Sequence, residues 1–328
     1  MRGPHRLDPL LGLGRRVSAL EVFCCHQPPV QRGEAFFIPG DGAMIVIENA
    51  KDMQQYSESL RVKGKKIAFV PTMGFLHRGH LRLMEEGRKL GDCLVTSIYV
   101  NPTQFGPTED LAKYPRDFDM DSKLCEGVGV DVIYFPSNDE MYPPHYQTYV
   151  DMQEVTQNLC GLSRPGHFRG VATVCAKLFN LVKPHVAVFG KKDFQQLVVI
   201  KRMVIDLNMD LEIIGLDTVR EPDGLAMSSR NTYLKPEQRE SALSLSRGLK
   251  MAKGMYDKGE RDAAAIIDTV SRFIGGHQHA KIDYVKICDT TTMKDVARLD
   301  GESVMALAVR VGVARLIDNY VFGETLNL

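Results

Sequence analysis

Two histidines in the order His-x-Gly-His, His77 and His80, are the residues of this chain whose spacing most clearly suggests chemistry. An imidazole beside a phosphate can donate a hydrogen bond or a proton to it. A single histidine at such a position is as often a helix cap or a surface group. The pair favours a functional interpretation, because Gly79 between them leaves room for a ligand or a backbone to approach closely.

The residues before this pair predict a strand, a tight turn and the start of a helix. Residues 67–70 have the apolar and aromatic content of a buried strand, Pro71 and Gly74 are expected to break it, and a helical pattern runs from Leu81. The first amides of a helix lack backbone partners and carry the positive end of the helix dipole, so an anion is favoured there. The segment therefore indicates nucleotide binding without specifying the reaction.

Two polar segments follow other predicted strands. In VNPTQF, residues 100–105, Gln104 offers both a donor and an acceptor to a substrate hydroxyl or carboxylate. In FGKKDFQQL, residues 189–197, Lys191 and Lys192 precede a helix, where a cation opposes the dipole unless an anion is bound. An ordinary polar loop and a solvated lysine pair are the alternatives.

A third polar segment, REPDGLAMSSRN at residues 220–231, contains Ser228, Ser229 and Arg230. Two hydroxyls and a guanidinium fork suit multidentate contact with phosphate, although serines are also common in ordinary turns. Its Pro and Gly residues indicate a loop, and loops over active sites often close on substrate.

Apolar runs alternate with helical patterns from Met44 onward, which predicts a parallel sheet with helices on its faces. Ligands of such sheets gather at the carboxyl ends of the strands, where the polar segments lie. A helix with Val171, Val174, Leu178 and Leu181 on one face is expected between the third and fourth strands, and Asp193 is the expected N-cap of the helix after the fourth. The predicted strands are residues 66–71, 93–100, 131–135, 185–190 and 211–216.

Composition limits the classes of protein that fit. The chain has 328 residues with 41 basic and 41 acidic side chains, so no global charge points to nucleic acid or an anionic membrane. No apolar stretch approaches the roughly 18 residues of a membrane span. The seven cysteines contain no Cys-x-x-Cys spacing, which favours reduced thiols in the cytoplasm without disulfides or structural zinc. A small-molecule partner is therefore expected.

The chain divides into three predicted parts. Residues 1–43 lack sustained periodicity and are interpreted as a flexible N-terminal extension. Residues 44–217 contain the alternating pattern, and residues 218–328 form a smaller domain in which KIDYVKICD and SVMALAVRVGVARLIDN alternate like strands.

Five motifs in order, PTMGFLHRGH, VNPTQF, SRPGHFRGVATV, FGKKDFQQL and LAMSSRNTYL, resemble the pantothenate synthetase family, the pantoate and β-alanine ligases. The resemblance runs from Met44 to the C-terminus. It implies a Rossmann-like doubly wound parallel sheet of the His-x-Gly-His nucleotidyltransferase group, a smaller α+β C-terminal lid domain and a homodimer. It also implies that ATP and pantoate give pantoyl adenylate and diphosphate, after which β-alanine displaces AMP to give pantothenate.

The resemblance also implies roles for individual residues. His80 matches a proton donor, His77 accompanies it at the triphosphate, and Lys192 and Arg230 stabilise charge in the transition state. Gln104 and Gln196 match the glutamines that bind pantoate, Gln104 also lying close to β-alanine. The implied ATP-binding residues are Met73, Gly74, Phe75, Leu76, His77, Arg78, Gly79, His80, Gly190, Lys191, Lys192, Asp193, Val219 (through its backbone), Met227, Ser228, Ser229 and Arg230.

The chain departs from the family pattern at Lys191, where many members have Glu, and the extra charge is expected to alter ATP affinity while activity survives. Magnesium is implied as the counter-ion of ATP, with no protein ligand assigned. Asp119 and Asp121 are acidic candidates that are expected to lie on the surface.

Three other functions compete with the ligase. An adenylyl transferase acting on a phosphate acceptor has no use for the paired glutamines. A nucleotide-binding regulator without turnover conflicts with intact His77, His80, Lys192 and Arg230. A fragment that charges tRNA fits the Met-Ser-Ser loop, but no basic anticodon-binding domain follows it.

Overall fold

Short runs of apolar and β-branched residues form the six strands of a parallel sheet in the first part of the chain. The computed structural model describes residues 44–107 and 109–326, so the predicted extension at 1–43 lies outside the described residues. The strands are β1 Ile45–Ile47, β2 Ile67–Thr72, β3 Cys93–Ile98, β4 Val132–Tyr134, β5 Val186–Gly190, β6 Glu212–Leu216, β7 Ala280–Asp289, β8 Ser303–Val311 and β9 Ala314–Val321. The α-helices are α1 Ala50–Val62, α2 Arg78–Leu90, α3 Phe118–Gly127, α4 Asn138–Met141, α5 Leu159–Ser163, α6 His167–Val182, α7 Phe194–Asp206, α8 Arg239–Asp257 and α9 Ala263–Gly275.

The strand order of the large sheet is β1-β4-β3-β2-β5-β6, with every neighbouring pair parallel. The predicted doubly wound fold and its strands are confirmed to within two residues at each end. Pro71 does not break β2 as expected, because the strand continues to Thr72. Pairing of β2 with β5 involves only Ala68 and Phe69, so the missing N–H of Pro71 leaves no gap in that ladder.

Helices cover both faces of this sheet. One face packs with α1, α6 and α7, and the predicted stripe of α6 is buried at Val171, Val174 and Leu178 and half-buried at Leu181. The other face packs with α2 and α3 through Met84 and Cys125. The two layers bury the sheet and leave its carboxyl edge to be covered by loops.

A second, antiparallel sheet of order β7-β8-β9 carries α8 and α9 on one face, which confirms the smaller α+β part. The two strand-like segments form three strands, because β8 and β9 turn at Gly312, which has a φ of +59°. Cys288, Met293 and Val304 pack into the core of the large sheet, so the two parts share apolar contacts. The division at residues 217 and 218 stays a prediction.

Helices long and apolar enough to cross a membrane are absent from the described part of the chain.

Candidate active site

The histidine turn joins β2 to α2, and both rings face each other there. His77 is the N-cap of α2, and its ring lies 4.0 Å from that of His80, centroid to centroid. The Nδ1 of His77 accepts the N–H of Gly79 at 3.1 Å, and the Nδ1 of His80 accepts the N–H of His77 at 3.3 Å. Since both Nδ1 atoms are acceptors, the neutral rings carry their protons on Nε2.

This arrangement modifies the expected anion site at the helix start. The amides of Gly79 and His77 are already bonded to ring nitrogens, and that of His80 bonds the carbonyl of His77. The Nε2–H groups of the two rings are thus candidate donors to a ligand. Gly79 does leave room, but for the His77 ring, since a Cβ there would lie 2.8 Å from Cε1.

Asp121 holds the turn before the histidines. Its two carboxylate oxygens accept the N–H groups of Phe75 at 2.8 Å and Leu76 at 2.7 Å. The expectation of a surface residue was wrong for Asp121, which is 2% exposed, whereas Asp119 is exposed. Gly74 has a φ of +78° and lies against the same carboxylate, so only glycine fits there. Asp121 therefore positions the turn.

Desolvation lowers the pKa of three basic groups of the site. It lowers the pKa of His77 to about 4, with the nearby Lys192 charge adding to the shift. The pKa of His80 is also well below its usual range because of desolvation, with His77 and Lys192 contributing. Desolvation likewise lowers the pKa of Lys192, and Arg230 adds to this. A polyanion bound here would raise the pKa of these groups again, because it favours their protonated forms. The protonated groups would in turn bind the polyanion more tightly.

Lys191 and Lys192 lie at the end of β5 but point to different surroundings. Lys192 lines a cavity of about 520 Å³, whereas the Nζ of Lys191 pairs with Asp217 at 2.9 Å and Glu324 at 3.0 Å. The side-chain amide of Asn319 donates to the carbonyls of both lysines, at 2.9 and 2.8 Å. A strand of the C-terminal part thus fixes the backbone that presents Lys192.

Asp193 is the N-cap residue of α7, as predicted, although its side chain accepts no backbone amide there. A single 3₁₀ turn at Lys191–Asp193 precedes the helix. The Asp193 side chain is exposed and lines the cavity beside Lys192.

The serine loop lies against the histidine turn. The hydroxyl of Ser229 donates to the carbonyl of Phe75 at 3.3 Å, and that of Ser228 accepts the N–H of Arg230 at 3.3 Å. The guanidinium of Arg230 bonds both carboxylate oxygens of Asp110, each at 2.9 Å. Asp110 was not found by sequence reasoning, because its partner is 120 residues away.

Gln104 lies on a 3₁₀ turn at Pro102–Gln104 that packs against α6. Its Oε1 accepts from Asn101 at 3.0 Å, and its Nε2 approaches the sulfur of Met73 at 3.2 Å. Asn101 is 1% exposed and also donates to the carbonyl of Gly170 at 3.1 Å. A side chain at Gly170 would clash with the backbone of Thr103, which explains the glycine in α6.

Arg164 and His167 complete the support of Gln104. His167 Nδ1 bonds the carbonyl of Gln104 at 2.8 Å, and its Nε2 lies 3.0 Å from Arg164, which forms a bidentate pair with Glu109. Desolvation, assisted by the Arg164 charge, lowers the pKa of His167 to about 4. The motif SRPGHFRG carried these two residues, and a histidine beside a glycine at a helix start was the signal for them.

The cavity brings together only part of the predicted set. Val219 is not among the residues that line it, and its carbonyl accepts the N–H of Met227 at 2.9 Å. Met73 and Gly74 line a second cavity of about 260 Å³, and neither His77 nor His80 is among the residues that line either cavity. The predicted residues that line the larger cavity are Lys192, Asp193, Gln196, Ser228 and Arg230.

Within residues 44–107 and 109–326 there is no group of three or more His, Cys, Asp or Glu side chains that could hold a metal ion. The acids of the cavity are mostly engaged, Glu109 with Arg164 and Asp110 with Arg230.

A Rossmann-like parallel sheet with a His-x-Gly-His turn, a lysine and an arginine at its carboxyl edge defines an α/β protein of the nucleotidyltransferase type. Residues 45–321 match the family model described as pantoate-beta-alanine ligase. The chain belongs to this family.

Relatives with known names and structures agree with this assignment. The pantothenate synthetase of Syntrophus aciditrophicus (strain SB) is 70% identical over 285 residues, covering 87% of this chain and all of that protein. The crystal structure of pantothenate synthetase from Thermus thermophilus has a TM-score of 0.80 at 40% identity and covers 84% of this chain and 99% of that one. A pantoate-beta-alanine ligase from Francisella tularensis, complexed with beta-gamma ATP and beta-alanine, has a TM-score of 0.73 at 32% identity over 87% of this chain and all of that one.

Proposed function

We propose that this chain joins pantoate to β-alanine at the expense of ATP, giving pantothenate, AMP and diphosphate. The observation that carries the proposal is Lys192, a partly buried lysine that lines the cavity and forms no ion pair with a described carboxylate. Its charge also helps to lower the pKa of His77 and of His80. Such a group favours an anionic ligand. The complex of the Francisella tularensis relative with beta-gamma ATP and beta-alanine supports the same substrates.

The reaction runs in two steps that balance without a protein nucleophile. A carboxylate oxygen of pantoate attacks the α-phosphorus of ATP, the bond to the bridging oxygen breaks, and diphosphate leaves. The free amine of β-alanine then attacks the acyl carbon of pantoyl adenylate, AMP leaves with the electron pair, and the amide loses the remaining proton. Because the first nucleophile is already ionised at neutral pH, the site needs to supply alignment and charge stabilisation.

The proposed roles combine the family resemblance with the chemistry of each group. His80 and His77 direct Nε2–H groups to phosphate oxygens, His80 being the proton donor, and Lys192 and Arg230 balance the charge on the α-phosphate and the leaving diphosphate. Gln104 and Gln196 hold the hydroxyl and carboxylate groups of pantoate, with Gln104 also near β-alanine. Gln104 suits this role because it is held in place by Asn101 and has only a weak sulfur contact on its amide nitrogen.

The remaining nucleotide contacts are assigned to three short segments. Residues 73–80 form one wall of the ATP site, Gly190 to Asp193 a second, and Met227 to Arg230 a third, with Val219 contributing its backbone N–H. Arg78 and Lys191 contribute through the backbone, because their side chains form ion pairs with Glu85 and with Asp217 and Glu324.

Magnesium is proposed to arrive with ATP as its counter-ion. The described acids provide no dedicated cage, so phosphate oxygens and water would supply most of its ligands. We further propose a homodimer in the cytoplasm, on the basis of the family resemblance.

The direct test measures AMP and diphosphate release from ATP and magnesium, with pantoate and β-alanine added separately and together. AMP release with both substrates, and exchange of labelled diphosphate into ATP with pantoate alone, is the expected result. Nucleotide binding without either product would favour a binding protein without turnover. Adenylyl transfer to a phosphate acceptor would favour the competing transferase.

A further inference from the structure

Asp110 accepts hydrogen bonds from the guanidinium of Arg230, the same group that the proposed function assigns to phosphate. Both carboxylate oxygens bond the guanidinium, Oδ2 to Nε and Oδ1 to Nη2, each at 2.9 Å. The two side chains are 24% and 27% exposed and both line the large cavity. A carboxylate and a phosphate use the same two-pronged contact with arginine, so one fork cannot serve both fully.

The charges around this pair indicate what Asp110 does before a nucleotide binds. Lys192 and Arg230 line the same cavity, and the Arg230 charge is one of the causes that lower the pKa of Lys192. Asp110 neutralises the guanidinium and holds it in one orientation beside the Tyr114 ring, whose centroid lies 5.9 Å from its central carbon. Two cations can therefore share the cavity before an anion arrives.

We propose that Asp110 is a positioning residue that holds Arg230 ready and then yields its guanidinium to the phosphate oxygens of ATP, so that Asp110 and the phosphates compete for one fork. This inference rests on the proposed binding of ATP. It predicts that removal of the Asp110 charge strengthens ATP binding, whereas a residue that only supports the site would weaken binding when lost.

Glu109 provides a matched control on the neighbouring position. It carries the same charge and lines the same cavity, but its bidentate partner is Arg164, which contacts the carbonyl of Gln104. Removing its charge changes the net charge of the site equally without freeing Arg230. The comparison separates competition for one fork from a general change in electrostatic field.

The experiment measures dissociation constants of magnesium ATP and of adenosine by calorimetry for the full chain, Asp110→Asn, Asp110→Glu and Glu109→Gln. We expect Asp110→Asn to bind ATP about fivefold more tightly, the scale of a partly exposed ion pair, with adenosine unchanged. Asp110→Glu, which retains the charge, should stay near the original affinity, and Glu109→Gln should show no gain. In an Arg230→Gln background, Asp110→Asn should have no effect.

Unchanged or weaker ATP binding by a folded Asp110→Asn would overturn the competition, as would an equal gain in Glu109→Gln. Thermal unfolding checks the fold, and Asp110→Ser replaces the asparagine variant, with the same expectation, if that variant does not fold. Absence of ATP binding to the unaltered chain is a different result, because it would reject the proposed function itself.

Discussion

The protonation pattern of the histidine pair is set by backbone amides at the start of α2. Each Nδ1 accepts an N–H, so each Nε2–H is directed away from the helix backbone and toward any ligand of the turn. Asparagine has an acceptor oxygen where histidine has Nδ1 but no group equivalent to Nε2–H. His80→Asn thus retains the contact to His77 while removing the proposed phosphate donor.

We expect His80→Asn to lower the rate of pantoyl adenylate formation about 100-fold with little change in thermal stability, because a donor to developing charge is lost. Diphosphate exchange with pantoate alone measures that step. His185→Asn is the matched control, since His185 Nδ1 also accepts a backbone N–H, from Ile67 at 3.0 Å, but lies at the opposite end of β2. Equal rates in the two variants would remove His80 from the first step.

The lowered pKa of His167 is expected to make the free energy of unfolding depend on pH. Its pKa of about 4 lies below the ordinary 6.5, so between these values the unfolded chain binds more protons and the free energy of unfolding falls as pH decreases. His167→Asn keeps a donor to the Gln104 carbonyl but cannot titrate. From pH 7 to pH 4.5 we expect the original chain to lose about 2 kcal/mol more than the variant in urea unfolding. Parallel pH profiles would contradict the depressed pKa.

Sequence reasoning found the site residues that lie in short motifs and missed those that act through distant contacts. His77, His80, Lys192 and Arg230 stand beside glycines or repeated polar residues at predicted strand ends, where local chemistry is visible. Asp110 and Asp121 have ordinary neighbours, and their importance comes from partners 120 and about 46 positions away. No periodicity or turn rule reports such pairs.

At the scale of elements, the turn that joins β2 to α2 depends on Gly74, which is constrained both by its backbone conformation and by its packing. Gly74 has a φ of +78°, and a Cβ there would lie 2.9 Å from both Asp121 Oδ2 and Ile98 Cγ2. Gly64, with a φ of +70°, has no atom within 4 Å of that position. The two glycines share the backbone conformation and differ in packing.

Gly64→Ala should therefore cost about 1 kcal/mol of unfolding free energy, from the left-handed backbone alone. Gly74→Ala should cost about 2–4 kcal/mol, because overpacking against Asp121 is added, and should raise KM for ATP by displacing the turn. Denaturant unfolding and ATP titration of the rate measure both effects. Similar losses in the two variants would show that backbone conformation alone governs the turn.

The strands were predictable because each is a buried apolar run between turn residues, which produces a strong local signal. The exceptions have tertiary causes. Pro71 stays in β2 because the ladder between β2 and β5 pairs only Ala68 and Phe69 and does not reach the proline. The start of α2 at Arg78 instead of Leu81 depends on the caps made by His77 and His80. Local pattern alone does not contain those contacts.

For the whole molecule, the important links are those by which the C-terminal sheet holds the proposed ATP segment at β5. Asp318 forms a bidentate ion pair with Arg220, the side chains being 2% and 6% exposed, and the next residue, Asn319, bonds the Lys191 and Lys192 carbonyls. These links join residues about 100 or more positions apart, so no local pattern in the chain predicts them. They make the smaller part a structural support of Lys192.

Lys191 takes part in the same docking, and this changes the meaning of its departure from the family's usual Glu. Its ammonium lies between Asp217 and Glu324, and this pairing, opposed by desolvation, raises its pKa. Lys191→Glu would place three carboxylates together near the end of β9. We expect a loss of about 1 kcal/mol of unfolding free energy, restored by Glu324→Lys in the same chain, because exposed pairs contribute on this scale.

The KM for ATP of Lys191→Glu should stay within about threefold of the original, since the side chain is engaged outside the cavity and the charge effect is screened. Lys294→Glu is the control, because Lys294 pairs with Glu154 at 2.9 Å on an exposed surface and has no link to β5. A tenfold or larger rise in KM for Lys191→Glu, without loss of stability, would mean that Lys191 leaves its two acids to contact ATP directly. The docking role would then be secondary, and the departure from Glu would bear on nucleotide affinity as first expected.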